Sequence, residues 1–383
     1  MFNQIKEFIS YIKKWITIYR FMSIKKNQKF VVFYSENKNY WIDLKGIIEE
    51  LIKTTDVSIY YISSDYEDPG LSYKNNRINK LVIDEGYQRI WFFQNLESHI
   101  LITTTPGLDT FIDFKKSKKT DYYVYTQHGL VSTHCVYNKN AFDNYDIIFC
   151  TGKYMIEEIR KQERVYNLKA KTLVEHGFSK LDYITREYLK YEEDTNNTKA
   201  SKIILIAPTW GSDGIIESGF ASTYIDEIIS QGYSVILRPH PETVKRSRKK
   251  IDDLLNIYLN NNAFSCELNI TSFKNLFLAD ILVTDWSGIA IEYAFATNKI
   301  VLFLDTPQKI FNKDYFKLEL DAFESEIREK IGYIWNGKDN ISSYAAKLDE
   351  SVKGSDYIYN LGKSDKIASE FIAGLINDIQ KNP

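Results

Sequence analysis

From residue 29 onward, short runs of β-branched and aromatic residues alternate with stretches of helical spacing, and the alternation runs its course twice. Strand and helix in alternation suit a parallel sheet with crossover helices. The first set predicts strands at 30–34, 57–62, 80–83, 99–103, 122–125, 147–150 and 172–174, and the second at 203–207, 234–237, 281–284 and 300–304. Between them, around Glu192-Glu193-Asp194-Thr195-Asn196-Asn197-Thr198, the chain is charged and amide-rich and offers few core residues, so a linker is expected there. After Pro307 the chain reads as mostly helical, ending in an amphipathic helix over 364–379 that can pack back across the lobes. The expected fold is α/β: two Rossmann-like, doubly wound domains at 29–180 and 202–363, a linker at 181–201 and a crossover helix at 364–383.

A chain of 383 residues with 44% hydrophobic and 26% charged residues can bury two such cores. A net charge of −2 supplies no surplus of cations for a phosphate backbone, so no nucleic-acid partner is expected. Cys135, Cys150 and Cys266 are odd in number and far apart, which fits neither a disulfide framework nor a zinc cluster and favours a reducing cytoplasm.

Residues 1–28 carry Lys6, Lys13, Lys14, Arg20, Lys25 and Lys26 against one acid, Glu7, with Phe2, Ile5, Ile9, Ile12, Ile16 and Tyr19 at helical spacing. This basic amphipathic helix is too interrupted to span a bilayer and lacks the apolar run of a signal peptide. Two readings are open: it lies in an anionic membrane surface with Phe8, Trp15 and Phe21 in the acyl boundary, or it packs on the first domain.

Ligands of open α/β sheets gather where strands end, and four strand ends carry unusual residues. Thr126-Gln127-His128-Gly129 offers an imidazole that either takes a proton from an attacking hydroxyl or fills a turn, beside a glycine that frees the backbone. Arg238-Pro239-His240-Pro241 stiffens a loop with two prolines, presenting cationic donors to a diphosphate or forming a structural turn. Thr284-Asp285-Trp286-Ser287-Gly288 precedes a helix, so Thr284 and Ser287 are candidate phosphate ligands, with a plain N-cap as the alternative for Ser287. One turn on, Glu292 either accepts from ribose hydroxyls or supports the helix dipole. Thr209-Trp210 borders donor or acceptor, or the indole plugs the gap between loops. The chain lacks GxxxxGK[ST], HExxH, strand-linked GxGxxG, GxSxG and any Asp-x-Asp at a strand end, so neither cofactor nor metal is expected.

In this order the motifs resemble those of the CDP-glycerol glycerophosphotransferases, which prime or polymerise teichoic-acid-type and related capsular polymers in bacteria. The elements are His128-Gly129, the turn from Gly177 through Lys180 to Asp182, Ala207-Pro208-Thr209-Trp210, His240-Pro241, and Thr284 through Gly288 with Glu292; together they span roughly residues 122–305. The resemblance implies a GT-B arrangement with two lobes facing a central cleft, transfer of a polyol phosphate from a CDP-activated donor to a polymer or lipid-linked acceptor, and release of CMP. It implies that His128 is the base on the acceptor, that Arg238, His240, Thr284 and Ser287 hold the donor diphosphate with Thr209, Gly288 and Glu292 around the nucleotide, and that Gly129, Lys180, Asp182 and Trp210 serve the acceptor or support the loops. It further implies a peripheral enzyme at the cytoplasmic face of the bacterial inner membrane. Lys180, Trp286, Gly288 and Glu292 stand where the family usually has Arg, Tyr, Ser and Asp, which leaves glycerol and ribitol phosphate both open as the transferred group. The competing expectations are a GT-B glycosyltransferase using a CMP- or UDP-sugar, with Asp109 or Asp113 as carboxylate base, and a non-catalytic membrane-surface subunit.

Overall fold

The computed structural model describes residues 2–194, 202–268, 272–345 and 353–381, with side chains from Tyr11 onward in the first helix. Part of the expected linker, 195–201, and the side chains of Phe2, Ile5, Lys6, Glu7, Phe8 and Ile9 lie outside the described residues.

Two sheets, every strand pair parallel, form two Rossmann-like lobes. The first holds β1 (Val31–Ser35), β2 (Ile59–Ser63), β3 (Ile78–Val82), β4 (Ser98–Thr103), β5 (Thr120–Thr126), β6 (Ile147–Cys150) and β7 (Thr172–Glu175) in the order β3-β2-β1-β4-β5-β6-β7. The second holds β8 (Ile203–Ile206), β9 (Ser234–Leu237), β10 (Phe264–Cys266), β11 (Ile281–Thr284), β12 (Val301–Leu304) and β13 (Gly332–Trp335) in the order β10-β9-β8-β11-β12-β13. The strand order reverses between β1 and β4 and between β8 and β11, where a doubly wound sheet opens a crevice for ligands. Central strands such as β1, β2 and β11 are buried along their whole length, because helices cover both faces of a parallel sheet.

Two edge strands depart from expectation. β10 is three residues of alternating exposure. β13 lies within the stretch expected to be mostly helical, and directly follows helix Phe323–Ile331. Only Gly332 and Trp335 of β13 are buried, so no continuous apolar run marks it in the sequence.

The span expected as a linker is helix as far as Asp194. Helix Ser179–Asp194 buries Leu181, Ile184 and Tyr188 in one apolar cluster with Leu205, Phe277 and Tyr293 of the second lobe. The terminal helix Ser364–Lys381 returns to the first lobe, where Ala368, Ile372 and Ile376, four residues apart, pack with Leu44, Ile47 and Leu51.

The first helix, Phe2–Met22, sends Ile18 and Phe21 into the first-lobe core, with Phe21 against Tyr60 and Phe92. Phe21 therefore cannot enter a bilayer as expected, because an edge-on ring and a stacked ring already enclose it. Trp15 contacts Tyr87 and Trp91, and Lys14 pairs with Asp84.

The return of the chain is locked at the turn after β7. Gly177 has φ +101°, and a Cβ there would lie 2.3 Å from the Tyr359 carbonyl oxygen. The buried Asp182 carboxylate accepts from the backbone N–H of Gly362 at 2.6 Å and of Ser364 at 2.8 Å, while the Ser364 hydroxyl accepts from Phe178 N–H at 2.9 Å. Asp182→Ala would strand the buried Ser364 N–H and release the exposed Gly362 N–H to solvent, at about 1–3 kcal/mol. Calorimetry should show a Tm lowered by several degrees for Asp182→Ala and for Gly177→Ala; an unchanged Tm would mean that the clamp does not hold the terminal helix.

Candidate active site in the cleft

His128 follows β5, one residue beyond Gln127, whose side-chain oxygen accepts from Tyr125 at 2.6 Å and Tyr137 at 3.2 Å. The His128 ring lies between Tyr40 and Tyr137, with centroids 5.0 and 5.9 Å away. Its Nδ1 is 3.0 Å from the Thr104 carbonyl, which only accepts, so Nδ1 carries the proton and Nε2 keeps its lone pair. Burial pushes its pKa down to about 4. A side chain at Gly129 would project into open space, so glycine leaves the gap beside His128 unfilled.

His240 caps helix Pro241–Arg246 from the second lobe. Its Nδ1 accepts from Glu242 N–H at 3.1 Å, so here the proton sits on Nε2 and that nitrogen is a donor. Burial, then the Lys309 and Lys180 cations and His128, push its pKa down to about 3. The two imidazoles thus come from separate lobes, lie near enough for His128 to help lower the His240 pKa, and hold opposite tautomers.

The remaining expected residues divide. Thr209 lies beside the gap: its N–H donates to Asp285 Oδ1 at 2.7 Å and its hydroxyl accepts from Lys309 at 2.8 Å. The Trp210 ring is 6.1 Å from that of His240 and lies under two cations, Lys309 at 4.6 Å and Arg246 at 5.3 Å. Ser287 and Gly288 open the buried helix Ile289–Thr297. A Cβ on Gly288 would come within 3.2 Å of the Leu130 carbonyl, so this helix start presses on the first-lobe chain just past His128. Thr284 is not available as a phosphate ligand in the way expected: it is fully buried, and its hydroxyl donates to Ala207 O at 2.7 Å, stitching β11 to the end of β8. Arg238 is buried with Nε on Glu267 at 2.7 Å, so an acid already shares its charge, although Nη2 has no partner among the described residues. Glu292 is 2% exposed and paired with Lys180 at 2.9 Å, which places both inside the molecule at the cleft floor. Asp182 serves the chain-return clamp and has no part in the gap. Trp286 is an anchor, its indole N–H on Thr306 O at 2.7 Å and Arg328 stacked 3.9 Å above the ring.

Four contributors were not singled out from sequence. Asp285 shapes the Thr209 loop. Lys309 lies beside it, with a pKa that burial pulls down to about 8. Tyr40 flanks His128. Asp43 is buried, and burial pushes its carboxyl up to about 8 in the company of Lys180 and Glu292. A charged residue directly after a strand or at a helix start was the available signal for Asp43 and Asp285. Of the alternative bases, Asp113 is bound to Arg89 and Asp109 faces Lys115 at 4.0 Å.

The sequence profile of the family described as CDP-Glycerol:Poly(glycerophosphate) glycerophosphotransferase matches residues 17–323. The chain belongs to this family. The teichoic acid glycerol-phosphate primase of Bacillus subtilis (strain 168) is 25% identical over 177 residues, which are 46% of this chain and 43% of that protein, so the match spans less than half of that relative's length. The wall teichoic acid polymerase TagF, in a variant soaked with CDPG, is similar in fold over 99% of this chain and 98% of its own, with a TM-score of 0.56 and 15% identity. The UDP-GlcNAc 2-epimerase of Methanocaldococcus jannaschii, in complex with UDP-GlcNAc and UDP, has a TM-score of 0.60 and 13% identity over 91% of this chain and 100% of its own. These likenesses carry the GT-B-like architecture of two facing lobes.

Because the folded pKa values of His128 and His240 lie below the ordinary 6.5, the unfolded chain binds more protons, and stability falls as pH drops from about 6.5 through 4. Nitrogen-15 spectra at pH 6.5 should show both rings neutral, His128 protonated on Nδ1 and His240 on Nε2; identical tautomers would refute the assignment.

Proposed function

We propose that the protein transfers glycerol phosphate, or a related polyol phosphate, from a CDP-activated donor to a hydroxyl of a cell-surface polymer or lipid-linked acceptor, releasing CMP. The observation that carries this reading is the pair of opposite tautomers across one gap, a base on one side and a donor on the other. His128 Nε2 takes the proton of the acceptor hydroxyl, and the oxygen attacks the glycerol-bearing phosphorus of CDP-glycerol. The bond from that phosphorus to the CMP oxygen breaks, and His240 Nε2–H donates to the phosphate oxygens on which charge gathers. Lys309, the Thr209 hydroxyl and the N–H groups at the start of helix Ile289–Thr297, with Ser287, supply further positive potential for the diphosphate. The product is a phosphodiester. Family membership supports both the donor class and the acceptor class.

The same reading puts the protein at the cytoplasmic face of the bacterial inner membrane. No helix among the described residues is long and apolar enough to cross a membrane. Tyr11, Ile12, Ile16 and Tyr19 of the first helix are exposed, alongside the exposed Lys13 and Arg20, which suits an anionic lipid surface. Ile12→Glu with Ile16→Glu should abolish co-sedimentation with vesicles containing phosphatidylglycerol while leaving the protein folded; retained binding would move the membrane contact elsewhere.

His128→Ala should cut CMP release from CDP-glycerol about a hundred- to ten-thousandfold with donor binding intact, the range for a lost general base. Turnover unchanged by that substitution would overturn its role. The Lys309 ammonium loses its charge as pH rises through about 8, so CDP-glycerol affinity should weaken above that value, and Lys309→Arg should carry the break to higher pH.

A further inference from the structure

A cavity of about 420 Å³ opens between the lobes, within the roughly 300–1,000 Å³ span of small-molecule sites. Its first-lobe wall is the loop around Gly107 and Phe111 together with Tyr137 and Asn138; its second-lobe wall is Trp210, Arg246 and Phe311. Neither imidazole lines it, but Tyr137 also flanks His128, and Trp210 also flanks His240, so the cavity adjoins the gap through these two side chains. The groups suited to a donor diphosphate, Asp285 with Thr209 and the start of helix Ile289–Thr297, are absent from its lining.

The lining has a definite chemical character. The Trp210 and Phe311 rings stand 5.5 Å apart and tilted by 41°, and Phe311 and Phe111 are 42% and 46% exposed, so aromatic faces are left without full cover. Arg246 places its guanidinium over the Trp210 ring and binds Glu242 through Nε at 2.6 Å, which leaves the two terminal nitrogens as donors on a side chain 62% exposed. Faces of this kind take the C–H edges of a polyol or sugar, and a guanidinium takes the two unesterified oxygens of a phosphodiester.

We propose that this cavity is the acceptor subsite, and that it binds the hydroxyl-bearing end of a phosphodiester-linked polyol chain: aromatic faces of Trp210, Phe311 and Phe111 hold the carbon skeleton, and Arg246 pairs with the terminal phosphodiester. The proposal rests on the reading of His128 as the base, because it orients the chain so that its end hydroxyl leaves the cavity beside Tyr137 and reaches Nε2. One phosphodiester recognised per chain end makes the subsite read what has already been polymerised, and an uncharged polyol is a poor acceptor.

The test uses the full-length protein, CDP-glycerol and a synthetic oligo(glycerol phosphate) of defined length, with Arg246→Gln and Phe311→Ala as variants of exposed side chains. Each variant should raise the acceptor KM about tenfold, the equivalent of one charge-assisted contact or one lost aromatic face, and leave the CDP-glycerol Kd unchanged. Acceptor KM unmoved in both would overturn the proposal. A CDP-glycerol Kd weakened in step would overturn it too, by giving the cavity to the donor. Calorimetric titration of the oligo(glycerol phosphate) alone separates the subsite from the reaction: should the wild type release no CMP from CDP-glycerol, the donor reading fails, and tighter oligomer binding to the wild type than to Arg246→Gln still upholds the subsite, while equal binding rejects it.

Discussion

The cleft depends on how the chain just past His128 is fastened to the opposite lobe. Leu130 lies in the same apolar cluster as Leu205, Leu282 and Phe303 of the second lobe. Ser132 N–H donates to Glu324 at 2.9 Å, the Ser132 hydroxyl accepts from Phe323 N–H at 2.6 Å, the Cys135 carbonyl accepts from Phe311 N–H at 2.9 Å, and Asn312 donates to the His134 carbonyl at 2.9 Å. Tyr154 stacks on Phe323 at 3.9 Å. One residue, Gly129, separates His128 from the first of these anchors, so the first-lobe imidazole is referenced to the second lobe's framework as much as to its own sheet. A lobe-to-lobe contact of hydrogen bonds and apolar packing that close to the base leaves little freedom in its distance from His240.

Three histidines in this region show how environment sets the role of one residue type. Burial works against charge on each of them. At His128 and His240 no carboxylate answers it, and both stay neutral at pH 7. His134 is buried as well, yet with the Cys135 sulfur and the Glu158 carboxylate 3.1 Å away its pKa is pushed up to about 10, and it stays charged. Its Nε2 then donates across the seam to Leu320 O at 3.2 Å. Two neutral rings are thereby free for proton transfer while the charged one is a structural tie.

The interior strands were legible in the sequence because a parallel strand covered on both faces must be apolar throughout, as β1 and β11 are. Edge strands were not. β10 and β13 keep one flank in solvent, and their alternation is too short to stand out from loop or helix. At the site, residues that follow strands were found where expected, since topology alone carries His128, Thr209, Trp210 and His240 to the crevice. What each polar atom does once there depends on partners distant in sequence: Thr284 spends its hydroxyl on Ala207, Arg238 its Nε on Glu267, and Asp182 both carboxylate oxygens on residues near the far end of the chain. No local pattern encodes those pairings, nor the meeting of Asp43 with Lys180 and Glu292.

That last group is built around the buried Lys180–Glu292 pair, the two positions where the resemblance implies Arg and Asp. A lysine presents a point charge instead of a planar fork, and the extra methylene of Glu carries its carboxylate further from the helix, so both of its oxygens reach the one ammonium at 2.9 Å. Burial opposes the Lys180 charge, yet Glu292 and then Asp43 hold it and raise its pKa. Burial in turn pushes the Asp43 carboxyl up to about 8, against the pull of the Lys180 cation. Lys309, the Nε2–H of His240 and the start of helix Ile289–Thr297 add positive potential on the second-lobe side of the cleft. All of these belong to the second lobe, whereas the imidazole with a free Nε2 lone pair, His128, belongs to the first.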